Sequence, residues 1–175
     1  MRQIKEYSIW LIPEGEVYQN LAKIILQLSK KYSTPFFEPH VTLIGSIIGP
    51  EDAILLKTSQ LAAFIPLYKI QLTNLSFFDE YFRCLFLKVR KFEEIIKANL
   101  KAQEIFNRKN DPPYFPHLSL VYGNLSRQIK KEIIARTGSN FKTNFEVKSL
   151  HLFSTEGEVK TWQKIAEFKL KLSKP

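Results

Sequence analysis

The chain has 175 residues, long enough for one domain with a real core. Its composition, 45% hydrophobic and 25% charged, excludes a disordered chain, and no window supplies the long uncharged apolar run of a transmembrane helix. A single cysteine, Cys84, excludes an internal disulfide and a thiolate zinc site; with an N-terminus unlike a signal peptide, the expectation is a cytosolic monomer with no membrane partner.

The net charge is +9, and it is unevenly placed. Residues 1 to 60 carry six Lys/Arg against six Asp/Glu, so the whole excess lies after residue 60. Such a field favours anionic partners, whether RNA, nucleotides or small phosphate esters, although dispersed surface lysines give the same figure.

Tyr7 to Pro13 reads as a first strand, ended by Pro13 and Gly15. From Glu16 to about Tyr32, the residues Val17, Leu21, Ile24 and Leu28 recur at helical spacing. After a loop with two prolines, His40 to Ile47 is a second strand, closed by Gly49-Pro50. Pro50 suits the first position of a helix over 50–63, with Glu51 and Asp52 where the dipole favours acids. Lys69 to Phe78 and Arg83 to Val89 form a hairpin around Asp79 to Phe82. Residues 92–106 give a helix with Phe92, Ile95, Ile96, Leu100 and Ile105 on its apolar side, and a polar loop leads to Pro116. His117 to Tyr122 is a strand ending at Gly123; Ser126 caps a helix that runs to Thr137 and stops at Gly138. Phe145 to Ser154 and Thr161 to Leu172 close the chain as two strands around Glu156-Gly157-Glu158.

One pattern occurs twice. Pro39-His40-Val41-Thr42-Leu43 and Pro116-His117-Leu118-Ser119-Leu120 both place a histidine and a hydroxyl at i and i+2 of a strand, hence on one face, with Val41 and Leu43, or Leu118 and Leu120, on the other. The histidines are 77 residues apart, near half the chain, which predicts a single unit (residues 1–175) of two lobes related by a pseudo-twofold axis, with the histidines meeting across a cleft. The third histidine, His151, lacks the hydroxyl at i+2 and reads as a structural or surface residue. A lone His-x-Thr carries little information, but two full copies among three histidines are a chemical signature.

Two imidazoles facing a phosphodiester suit in-line displacement. One removes a proton from water while the other protonates the departing oxygen, work matched to a pKa near 6.5. The Thr42 and Ser119 hydroxyls would donate to the non-bridging oxygens, as in an oxyanion hole. The motifs lack the carboxylate or thiolate that completes a metal ligand set, so no metal or other cofactor is expected.

The paired tetrads resemble the signature of the 2H phosphoesterase superfamily, and the wider chain resembles its cyclic phosphodiesterase branch. Tyr7-Ser8-Ile9-Trp10-Leu11-Ile12-Pro13, the His40 to Gly45 run, the His117 to Gly123 run and Thr161-Trp162 all sit where that branch has similar segments. The resemblance implies an α+β fold, bilobal, of two antiparallel sheets with outer helices around a cleft. It implies metal-independent hydrolysis of ADP-ribose 1″,2″-cyclic phosphate or nucleoside 2′,3′-cyclic phosphates, with His117 as base and His40 as acid. By position Trp10 and Tyr122 match aromatic residues near the family cleft, and Phe82, at the hairpin tip, is a further substrate-binding candidate. Two other readings stand beside this one. RNA ends are the substrate in related families that ligate 2′-5′ or trim 3′ ends, and a basic chain can serve as a non-enzymatic RNA-binding module.

Overall fold

The computed structural model describes residues 4–138 and 140–171. Along them run β1 (Ile4–Leu11), α1 (Gly15–Tyr32), β2 (Val41–Pro50), α2 (Glu51–Phe64), β3 (Tyr68–Ser76), β4 (Leu85–Val89), α3 (Glu93–Ile105), β5 (His117–Val121), α4 (Arg127–Thr137), β6 (Asn140–Val147), β7 (Ser149–Ser154) and β8 (Gln163–Lys169). The strands lie in the order β6-β3-β4-β5-β2-β1-β7-β8, antiparallel at every junction. The two expected sheets are present as four-stranded halves, β6-β3-β4-β5 and β2-β1-β7-β8, fused into one curled sheet by a single residue pair, Val41↔Leu118. Exchanging β2 with β5 and β1 with β4 maps one half onto the other.

The helices cross between the halves. α1, which joins β1 to β2, packs against β5 and β6, and α3, which joins β4 to β5, packs against β2. α2 covers β1, β2, β7 and β8. All lie on one side of the sheet, so Val41, Leu43, Leu85, Leu87, Leu118, Leu120, Leu150 and Leu152 join one apolar cluster drawn from both halves. Alternation then leaves His40, Thr42, His117 and Ser119 on the open side. Among the described residues no helix is long and apolar enough to cross a membrane.

Three expectations change. The strand expected over Phe145 to Ser154 is two strands, divided at Lys148: β6 pairs with β3 at one edge of the sheet and β7 pairs with β1 well inside the other half. The cause is visible in parity, since Phe145 and Val147 face the core at odd positions whereas Leu150 and Leu152 face it at even ones. β2 continues through Gly49 and Pro50, which pair with Lys5 and Ile4, because a strand end tolerates a missing N–H; Pro50 then caps α2 from outside the helix. The last strand ends at Lys169, and its expected end at Leu172 lies outside the described residues.

A further change is in α3. Its buried positions are Ile95, Ala98, Asn99 and Ala102, while Leu100 is 57% exposed. Small residues let the helix approach the sheet closely enough for Asn99 Nδ2 to donate to the Leu43 carbonyl at 2.8 Å. Close packing won over a longer apolar side chain. Leu100→Ala should therefore change stability by no more than about 0.5 kcal/mol, and Ala102→Leu should cost about 1–3 kcal/mol through overpacking. Urea unfolding of both variants checks the assignment, and the opposite ranking would place the apolar face where the sequence spacing put it.

Candidate active site

Both histidines stand where a proline-bearing loop becomes a strand. His40 immediately precedes β2 and His117 is the first residue of β5. Each ring is turned by the same local bond: Nδ1 of His40 lies 2.6 Å from the Glu38 carbonyl, and Nδ1 of His117 lies 2.9 Å from the Phe115 carbonyl, two residues upstream in both cases. A carbonyl only accepts, so Nδ1 carries the proton and each Nε2 presents a lone pair, which in His40 faces the Tyr122 hydroxyl. Both rings line one cleft of about 680 Å³, together with Thr42, Trp10, Tyr122, Phe82 and Trp162.

The two rings sit in different surroundings. His40 is buried and stacks on Trp10, centroids 3.7 Å apart and planes 9° apart. Trp10 is itself held by Phe153, stacked at 3.9 Å, and by its Nε1 donating to Ser8 Oγ at 2.9 Å. Tyr122 places its hydroxyl 3.4 Å from His40 Nε2 and stacks on Phe37 at 3.8 Å. His117 is only half-buried, with Phe86 and Phe115 at 5.3 and 5.7 Å. Burial pushes the His40 pKa down to about 3, against the raising effect of the Glu38 carbonyl. Burial also lowers that of His117, where the Phe115 carbonyl opposes the shift and the nearby Arg83 guanidinium adds to it.

The two hydroxyls also differ. Thr42 lies on the cleft wall. Ser119 is buried, is absent from that wall, and donates to the Phe82 carbonyl at 2.8 Å. That bond fixes the tip of the β3–β4 hairpin, which is pinned again by Gly123 N donating to the Tyr81 carbonyl at 2.9 Å. At the base of the tip, buried Lys130 of α4 donates to the Phe78 carbonyl and to Asp79, both at 2.9 Å.

Of the aromatic candidates, Trp10 and Tyr122 are almost wholly buried and serve His40 directly, whereas Phe82 is 53% exposed at the mouth. Phe82 lies 5.2 Å from Tyr122 and 6.0 Å from Trp162. Trp162, in the turn before β8, was not singled out as a site residue by the sequence, nor were Phe37, Tyr114 and Asn99. Tyr114 OH donates to the Thr42 carbonyl at 2.7 Å, and Arg108 donates to the carbonyls of Gly45 and Ser46 at 3.2 and 2.7 Å. β5 meets β2 at one pair only, so these side chains satisfy carbonyls that a longer ladder would have used. His151 is kept out of the cleft: it is buried on β7 with its Nδ1 3.7 Å from Glu167. Of the two expectations, structural or surface, its burial excludes the surface. Among the described residues no cluster of three or more His, Cys, Asp or Glu side chains is placed to hold a metal ion.

A sequence-family model described as cyclic phosphodiesterase-like protein matches residues 6–170. A cyclic phosphodiesterase of Arabidopsis thaliana is 27% identical over 175 residues, spanning 95% of this chain and 97% of the relative. The fold is similar to that of TT0787 of Thermus thermophilus, with a TM-score of 0.67 and 17% identity over 97% of this chain and 100% of the other. It is also similar to LigT of E. coli solved with NADP+, with a TM-score of 0.65 and 11% identity over 96% and 99% of the two chains. LigT has also been solved with 3′-AMP, at a TM-score of 0.64, 10% identity and the same 96% and 99% coverage.

A buried neutral histidine makes stability depend on pH with a definite sign. Because the folded pKa of His40, about 3, lies below the unfolded value of about 6.5, the unfolded chain binds a proton in that interval and the folded chain does not. Stability is complete above about pH 6.5 and falls as pH drops, by about 1.4 kcal/mol per unit for this residue. Urea midpoints measured between pH 7 and 5 should show a shallower decline in His40→Asn than in the parent chain; equal slopes would mean that His40 is not the group responsible.

Proposed function

This chain belongs to the cyclic phosphodiesterase-like protein family, and from that premise and the resemblance of its paired motifs to those of the 2H phosphoesterases we propose that it opens nucleoside 2′,3′-cyclic phosphates or ADP-ribose 1″,2″-cyclic phosphate to monoesters by two-histidine acid–base catalysis without a metal. The observation that carries the reading is the pair of Nδ1–carbonyl bonds, which leaves two Nε2 atoms for one cleft.

In the proposed step one neutral imidazole takes a proton from water through Nε2 as the oxygen attacks phosphorus. The P–O bond to the ring oxygen breaks on the opposite side, and the departing oxygen receives a proton from the other, charged imidazole. One water is consumed, and the two histidines exchange protonation states until solvent resets them. Thr42 donates to a non-bridging oxygen from the wall. Ser119 does so after turning from the Phe82 carbonyl, and Phe82, Tyr122 and Trp162 offer faces to a nucleoside ring.

Burial favours an order of roles that reverses the one implied by the resemblance. His40 is the more deeply buried, and burial disfavours its charged form and so a second proton on Nε2, as a base requires, while half-buried His117 pays a smaller desolvation penalty to hold the acid's proton. With a substrate whose leaving oxygen needs no proton, His117→Ala should lose far less activity than His40→Ala; the reverse would restore His40 as the acid.

Because burial lowers both histidines, kcat/KM should trace a bell whose two limbs both lie on the acid side of pH 6.5. A bell centred above pH 7 would contradict the pairing. Thr42→Ala and Ser119→Ala should each lower kcat by about 10²–10³ with little change in melting temperature. Turnover of the cyclic phosphates by chelator-treated protein tests the reading as a whole, and turnover of none of them would overturn it.

A further inference from the structure

The wall of the cleft does not share the net charge of +9. Apart from the histidines, the charged residues on its wall are Glu6, Glu80, Asp111 and Arg83, three acids and one base. Arg83 is engaged by Glu80, which its Nε meets at 2.8 Å and its second guanidinium nitrogen at 2.6 Å. Asp111 is engaged by Arg108 at 2.8 Å, and that guanidinium also serves the carbonyls of Gly45 and Ser46. Glu6 has no ion pair among the described residues. The other polar groups that stand ready are neutral: the Trp162 indole N–H and the Thr155 hydroxyl, both on the wall and both buried without a hydrogen-bond partner among the described residues.

These charges have an order along β1. Glu6, Ser8 and Trp10 alternate onto the open face, so at about 3.3 Å per residue Glu6 stands about 13 Å from Trp10, which stacks on His40. The phosphate being opened meets neutral hydroxyls and one imidazolium proton. A second phosphate on the same substrate finds no unpaired cation among the described residues of the wall, and toward the β1 end it meets an unpaired carboxylate. At separations of about 10 Å across a partly exposed cleft, such repulsion changes affinity several-fold and weakens with salt.

Resting on the phosphodiesterase reading above, we infer that this cleft selects cyclic phosphates that carry one phosphate group, namely nucleoside 2′,3′-cyclic phosphates with a free 5′ hydroxyl, and that Glu6 is the specificity-determining residue against substrates bearing more. The Trp162 and Thr155 donors suit the uncharged hydroxyls and carbonyls of such a nucleoside. ADP-ribose 1″,2″-cyclic phosphate, with its pyrophosphate, and RNA ends, with their upstream phosphodiesters, are disfavoured on the same ground. The basic excess of the chain lies outside this wall.

The test compares kcat/KM for adenosine 2′,3′-cyclic phosphate, for the adenylyl dinucleotide ending in a 2′,3′-cyclic phosphate, and for ADP-ribose 1″,2″-cyclic phosphate, at low and high salt. The parent protein should prefer the mononucleoside by about tenfold or more at low salt, and the preference should narrow as salt rises. Glu6→Gln should narrow it further, and Glu6→Lys should narrow it by about another fivefold or more for both larger substrates. Equal or better turnover of the larger substrates by the parent protein overturns the inference, as does a preference that neither salt nor Glu6→Lys moves. The salt comparison needs no variant and decides the matter even where a substitution fails to fold. Turnover of none of the three overturns the phosphodiesterase reading itself, an outcome distinct from turnover without selectivity.

Discussion

β2 and β5 touch at one pair of residues, Val41 and Leu118, and then part. Continued pairing would have closed the sheet and buried both histidine motifs against a neighbouring strand; no pairing would have left two lobes without a common frame. A single bridge places the motif residues at the crotch of the divergence, so that β2 and β5 form opposing walls. It also leaves the inner edge of β2 with backbone carbonyls that the sheet does not satisfy. Tyr114, Asn99 and Arg108 supply the missing donors, and each comes from the second half of the chain. The opening is held by side chains that do the work of a ladder, reinforced by α1 and α3, each of which crosses to the opposite half.

Neutrality is the second theme of the site. The histidines are desolvated, the polar groups two residues beyond them are hydroxyls, and the guanidinium on the wall is already matched by a carboxylate. In such surroundings a proton on either imidazole is costly until a phosphate arrives to share its charge. In the proposed reaction substrate and proton would therefore enter together. The stacked Trp10 sharpens this by removing water from one face of His40 while offering a π surface to the imidazolium when it forms.

Much of this was legible in the chain. The i, i+2 spacing of His40 with Thr42 and of His117 with Ser119 fixed their shared face, because strand geometry leaves no other arrangement. The strand–helix order and the Ser126 cap followed from local chemistry; the cap accepts from Ile129 N as such a residue should. The division at Lys148 was also present, as a change of apolar parity between Val147 and Leu150, but continuous β propensity across it masked the signal. Other features had no local trace. That Ala98 and Ala102 outrank Leu100 depends on how closely α3 lies on the sheet, and Trp162 reaches the cleft only because β8 is laid beside β7. Ser119 sharing its hydroxyl with Phe82 is a tertiary fact of the same kind.

That hydrogen bond bears on the role proposed for the Ser119 hydroxyl. Ser119 already has a full hydrogen bond to a peptide oxygen, so in the proposed role turning to a phosphate would exchange one acceptor for another. For a bound diester, whose non-bridging oxygens share a single charge, the exchange is nearly even and adds little to affinity. As a second charge gathers on those oxygens the new bond becomes charge-assisted and the old one does not, so the difference grows along the reaction coordinate. In that role a group satisfied beforehand would be weighted toward the transition state, while its bond to the Phe82 carbonyl holds the aromatic tip in place.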